Sequence, residues 1–229
     1  MTFEKSGTLY SARFGTCPGR RDPFLPLFND LKLIYHPHQL EVRKNAALVI
    51  WGGEDISPSI YGHNPIGHGT YSGPREPSYR DKVEVAMIMK AIENNIPIIG
   101  VCRGAQMVCA IAGGSLIQHV DGHGGNEHQM VDLRTGVITT TNSYHHQMMN
   151  PHGSQYKLIA QTLYPLSTVY KVDPAHPLPP GRVVEPEIIY FNQINALAIQ
   201  GHPEFHGPDE FNEYILPLTE RFLNAPSSL

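Results

Sequence analysis

The sequence predicts an α/β protein with a mostly parallel central sheet covered on both faces, extended in its second half by an antiparallel hairpin region. Three observations carry this. Apolar runs alternate with helix-period stretches between residues 46 and 114. The runs "AALVIWGG" and "IPIIGV" lack polar side chains, as strands buried on both faces do. Beyond residue 136 the helix-period stretches give way to strand-like runs broken by turn residues.

In chain order, "GTLYSARFGTCPGRRDPFLPLFND" (7–30) offers no convincing opening strand, and "DLKLIYH" (30–36) is the first plausible one. "AALVIWGG" (46–53) follows as a strand ending in a glycine pair. "SYRDKVEVAMIMKAIENN" (78–95) places Val83, Ala86, Met87, Met89, Ala91 and Ile92 at helical spacing, with Ser78 as N-cap and Asn94–Asn95 as the stop. "IPIIGV" (96–101) reads as a buried strand and "GAQMVCAIAGG" (104–114) as a helix closed by glycines. "GVITTTNSYHHQMM", "YKLIAQTL", "STVYKV" and "EIIYFNQINALAIQG" read as strands, the last as a hairpin about Gln193–Ile194. "DEFNEYILPLTERFLNA" (209–225) reads as a helix that Pro217 would kink or split. "DPAHPLPPG" (173–181) is too short for a linker and reads as a surface loop.

The bulk numbers narrow the class. The 229 residues, 41% hydrophobic and 17% charged, suit one soluble domain over 1–229. A net charge of −4 lacks the basic excess of a general nucleic-acid or membrane-surface binder. Cys17, Cys102 and Cys109 are too few and scattered for a disulfide framework. With no leader pattern at Met1–Arg20 and no apolar run of membrane length, the expected location is cytoplasmic.

Within "PIIGVCRGAQ" an apolar run stops at a cysteine flanked by Gly100 and Gly104. A strand feeding straight into a helix must turn sharply, and small neighbours keep the two elements apart. This is the logic of the nucleophile elbow, with Cys in the Ser position. Cys102 would sit at a helix N-terminus, where unpaired N–H groups and the helix dipole favour a thiolate. A buried structural thiol is the alternative for this motif alone. A thiolate needs a base and an orienter. "QGHPEF" supplies His202 and Glu204 directly after a strand, where Glu204 can reach back to the imidazole. Polar residues in a turn are the plain alternative. Donors for an oxyanion could come from the Arg103 N–H and from Gly52 or Gly53.

"IPIIGVCRGAQMVCAIAGGSLIQ" and "QGHPEF", spaced as they are, resemble the class I glutamine amidotransferase family. "WGGEDISPSIYG", "RDKVE" and "NSYHHQ" resemble its γ-glutamyl hydrolase branch, peptidase C26. The resemblance runs from about Ala46 to Phe205. It implies a flavodoxin-like three-layer sandwich and a catalytic triad of Cys102, His202 and Glu204. It implies an oxyanion hole at Gly52, Gly53 and Arg103. Gln106 would hold the γ-glutamyl head, and His145, His146 and Gln147 would lie near the pocket mouth. The first 45 residues depart from the pattern, since relatives open with a clear strand and helix.

The resulting expectation is a cysteine hydrolase that cleaves the γ-glutamyl amide of glutamine, or of a γ-glutamyl amine or peptide, through a thioester. It needs no metal and no organic cofactor. Its partner is a small-molecule γ-glutamyl substrate, with neither nucleic acid nor membrane. The alternative is a glutaminase subunit feeding ammonia to a separate synthetase partner, although this chain has no phosphate-binding G-x-x-x-x-G-K-[ST] loop. Remoter readings are a catalytically silent module or a metal binder. For the latter "QHVDGHGGNEHQM" offers His119, Asp121, His123, Glu127 and His128, on what its glycines suggest is a mobile loop. Cys109, Met87, Met89 and Met107 read as core, Asp81 as a local cap, Arg20 and Arg21 as solvated, and Trp51 as a pocket wall.

Overall fold

The computed structural model describes residues 5–67, 76–181, 183–205 and 209–229. The chain runs through β1 (Thr8–Ala12), β2 (Asp30–Ile34), β3 (Ala46–Ile50), α1 (Tyr79–Glu93), β4 (Ile98–Val101) and α2 (Arg103–Ile111). It continues through β5 (Ser115–Ile117), β6 (His119–Val120), β7 (Gly124–Asp132), β8 (Ile138–Tyr144), β9 (Met148–Asn150), β10 (Lys157–Thr162) and β11 (Tyr170–Lys171). It ends with β12 (Pro186–Phe191), β13 (Ala196–Ile199) and α3 (Asp209–Asn224).

Nine of the described strands form one sheet in the order β2-β1-β3-β4-β13-β12-β10-β7-β8. The first five pair in parallel, and from β13 onward every pairing is antiparallel. β12 and β13 are the expected hairpin, turning through Asn195 in the left-handed region. The strands bury both faces by period-2 alternation. Leu48, Ile50 and Ile98 face Met87, Ile88, Met107 and Val108 of α1 and α2. Val49, Ile99 and Ile199 face Phe211, Ile215, Leu218 and Phe222 of α3, together with Phe24. A mixed α/β sandwich results.

Five expectations change. The N-terminal segment does open with a strand. β1 lies inside the sheet between β2 and β3, buried along its length. Ser11 breaks its apolar pattern, and the reason is a partner: its hydroxyl accepts from Trp51 Nε1 at 2.8 Å. The connection from β1 to β2 uses short 3-10 turns at Gly19–Arg21 and Leu25–Leu27 where a helix would be usual. Trp51 is no pocket wall; it is fully buried and stacks on Phe24 with centroids 6.0 Å apart. The glycine-rich stretch at 122–128 leads into β7, which pairs with β8 through Gly124–Val131. Met89 is exposed, unlike Met87 and Met107. α3 runs through Pro217 as a single helix.

Candidate active site

β4 ends at Val101 and α2 begins at Arg103, so Cys102 alone makes the turn. Its backbone takes φ 49° and ψ −108°, where residues other than glycine are strained. Both sides hold that geometry: the Cys102 N–H donates to the Ile199 carbonyl at 2.8 Å, and the Cys102 carbonyl accepts from the Gln106 N–H at 3.0 Å. Close packing explains the flanking glycines. A Cβ on Gly104 would lie 2.1 Å from the Ile50 carbonyl oxygen, and one on Gly100 would strike the Gly104 carbonyl. The thiol therefore stands at the head of α2, beside N–H groups with no partner in the helix.

His202 and Glu204 follow β13, whose last residue pairs in register with Val101. This register carries residues about a hundred positions apart to one sheet edge. Glu204 Oε1 lies 2.7 Å from His202 Nδ1, and both side chains are buried. A carboxylate only accepts, so Nδ1 carries the proton and the far nitrogen is left for the sulfur. Phe205 stacks on the imidazole at 4.4 Å with parallel planes. Burial pulls the His202 pKa down, but Cys102 and Glu204 outweigh it and lift it to about 10. At neutral pH the ring is an imidazolium beside the sulfur.

Gly52 completes the approach. A Cβ there would lie 2.7 Å from His202 Cε1 and 3.4 Å from Cys102 Cβ. Its carbonyl accepts from the Thr16 N–H at 3.2 Å and from Arg80 Nη2 at 2.8 Å. The peptide bond is trans, so the Gly53 N–H points opposite that carbonyl, away from Arg80. The Arg103 N–H is the first unpaired donor of α2. Gly52 and Arg103 thus flank the turn that carries Cys102, with Gly53 next in the chain after Gly52.

Residues that sequence reasoning passed over support this site. Thr16 Oγ1 donates to Glu204 Oε1 at 2.6 Å, across 188 positions. Arg80 binds the Trp51 and Gly52 carbonyls and pairs with Glu84 at 2.9 Å. The Arg103 guanidinium, 1% exposed, pairs with both Glu84 and Asp81. Asp81 does cap α1 at Ser78, and it also accepts from Ser57 Oγ at 2.7 Å. The i,i+4 spacing of Arg80 and Glu84 was the one local signal of this network. Asn142 binds both backbone polar groups of His202, its Oδ1 2.7 Å from the N–H and its Nδ2 2.8 Å from the carbonyl.

The other residues named from sequence lie beside this centre and largely bind one another. Gln106 Nε2 and His145 Nδ1 both donate to the Gln147 carbonyl at 2.9 Å. Gln106, His145 and Gln147 are all buried. Burial first, then the neighbouring His123, hold the His145 pKa well below its usual value. His146 is partly exposed, and a 3.0 Å hydrogen bond to Asp55 raises its pKa. The five ligands suggested in "QHVDGHGGNEHQM" do not converge. Asp121 binds Thr168 and Val169, and Glu127 is exposed. His123 instead meets Ser143 and Glu185, and His128 meets Glu187 at 2.9 Å. Among the described residues, His123, His128 and Glu187, and separately His63, Asp173 and His176, bring candidate ligand atoms within 4.8 Å. Hydrogen bonds inside the protein already engage both groups. Cys109 is core, its pKa raised by burial.

Residues 38–137 match the family described as Peptidase C26. The glutamine amidotransferase-like protein YvdE of Lactococcus lactis is 28% identical over 211 residues, covering 80% of each chain. By these matches the chain is similar to proteins of the class I glutamine amidotransferase-like family. The carbamoyl phosphate synthase small chain of Stutzerimonas stutzeri is 24% identical over 91% of this chain, which spans 49% of that relative's length. In fold, the chain is similar to a glutamine amidotransferase from Thermotoga maritima, with a TM-score of 0.57 at 14% identity over 93% of this chain and 83% of that one. PurLQS from the same organism gives a TM-score of 0.57 at 12% identity, over 93% and 97% of the two chains. These likenesses support an enzyme of the hydrolase or amidotransferase kind.

Proposed function

We propose that the chain, acting as one domain, is a cysteine hydrolase of γ-glutamyl amides. The observation that carries the proposal is the strained turn at Cys102 facing an imidazolium held by Glu204. In this reading the Cys102 thiolate attacks the amide carbonyl and forms a C–S bond, while N–H groups at Gly52, Gly53 and Arg103 bind the oxyanion. His202 gives its proton to the departing amine as the C–N bond breaks. It then takes a proton from water, which attacks the thioester and releases glutamate and the thiolate. Glu204 holds the ring through Nδ1.

The leaving group distinguishes two readings. The Peptidase C26 match over residues 38–137 favours a γ-glutamyl amine or peptide over glutamine alone. The second reading, ammonia delivered to a synthetase partner, draws on the relative named as a carbamoyl phosphate synthase small chain. The test is the purified chain alone, assayed for amine release from γ-glutamyl amides and ammonia release from glutamine. Amine release favoured in kcat/KM supports the first reading. Slow glutamine hydrolysis with no amine release supports the second. No release from either, with no reaction of Cys102 toward a γ-glutamyl electrophile, overturns both.

A further inference from the structure

His202 sits in a turn just after the last strand of the parallel half, where its own turn supplies a single long bond, from the Phe205 N–H to the His202 carbonyl at 3.3 Å. The strand that holds both backbone polar groups comes from the far end of the sheet. β8 is the outer strand of the antiparallel extension. Its Asn142 is 2% exposed and spends its whole amide on one residue: Oδ1 accepts the His202 N–H at 2.7 Å and Nδ2 donates to the His202 carbonyl at 2.8 Å. These two bonds, one to each peptide group that flanks the His202 Cα, fix the position and rotation of the His202 backbone. The turn is pressed against the same strand. A Cβ on Gly201 would lie 2.5 Å from Thr141 Oγ1 and 3.1 Å from the Asn142 carbonyl. Asn142 itself is held in line, because its neighbours belong to buried pairs. His128 lies opposite Thr141 in the β7–β8 register and binds Glu187, and Ser143 binds His123.

We infer that Asn142 is a positioning residue, which sets the His202 ring between Cys102 and Glu204 through its backbone. The inference rests on the reading of His202 as the acid–base group. It gives the antiparallel extension a role at the catalytic centre. A displacement of about 1 Å at a catalytic group costs on the order of 10²-fold in rate, and Asn142 removes the freedom for one.

The test compares wild type with Asn142→Ala and Asn142→Asp. The aspartate keeps an acceptor for the His202 N–H but sets a carboxylate oxygen against the His202 carbonyl. Thr139→Val on the same strand removes only a 3.4 Å bond to the Glu210 carbonyl and serves as the structural control. The readouts are kcat and KM on a γ-glutamyl anilide, and the titration midpoint of the His202 ring by NMR, assigned with His202→Asn. The charged or titratable groups facing that ring are Cys102, Glu204, His145 and Tyr144, whose ring meets it edge-on at 6.0 Å. Both Asn142 variants are expected to lose roughly 10²-fold in kcat with KM within about 3-fold. Their His202 midpoint should fall from about 10 toward the ordinary 6.5. Thr139→Val should lower thermal stability alone. If Asn142→Ala does not fold, Asn142→Ser carries the same comparison. A folded variant with an unmoved midpoint overturns the inference, whatever happens to kcat. A wild type inert toward the anilide removes the hydrolase reading, and the midpoint still decides the role of Asn142.

Discussion

The His202 pKa is raised because its contacts with Cys102 and Glu204 outweigh its burial. Its folded pKa, about 10, stands above the unfolded value of 6.5, so the bound proton stabilises the fold fully below pH 6.5. That stability is lost as pH rises through about 10. Denaturant unfolding from pH 6 to 10.5 should show the decline, and His202→Asn should flatten it. The same titration limits turnover: kcat/KM should fall as pH passes about 10, because the leaving amine then finds no proton. Glu204→Gln should lower kcat more than KM and bring the alkaline limb to lower pH; Thr16→Val should do the same more weakly. Cys102, His202 and Glu204 were legible because each lies in a short motif at a strand end. Thr16 and Asn142 were not, since they reach their partners from 188 and 60 positions away. No periodicity encodes such a contact.

Elements deliver these residues only because backbones come close. Gly104 lets α2 lie against β3, so Gly104→Ala should cost about 1–3 kcal/mol through overpacking, visible as a lowered Tm. The head of α1 is joined to the Cys102 turn by buried charge. Replacing Arg103 with Met would leave Asp81 without its guanidinium and Glu84 with Arg80 alone, a loss of about 3–5 kcal/mol. Chemical denaturation at constant m-value checks it. At this scale the sequence was clear where apolar runs were continuous, as in β3 and β4. It was opaque in β1, where Ser11 interrupts the pattern to bind Trp51. It misled around Gly122–Gly125, where glycines that suggested a loop lead into a paired strand.

At the scale of the molecule, a parallel half and an antiparallel half meet at β13. The parallel half carries Cys102 and the Gly52–Gly53 turn; the antiparallel half brings Asn142 back to His202, three places beyond the end of β13. The change from helix-period to strand-like segments near residue 136 announced this division, but not that the outer strand returns to the centre. Among the described residues no helix is long and apolar enough to cross a membrane. The central claim is that Cys102 becomes covalently acylated during turnover. Rapid acid quench of the protein with a γ-glutamyl anilide, followed by peptide mass spectrometry, tests it most directly. The account predicts one glutamyl group on the peptide bearing Cys102, absent from Cys102→Ala, whose turnover drops at least ~10³-fold. Undiminished amine release by Cys102→Ala, or a glutamyl group carried on another side chain, would contradict it.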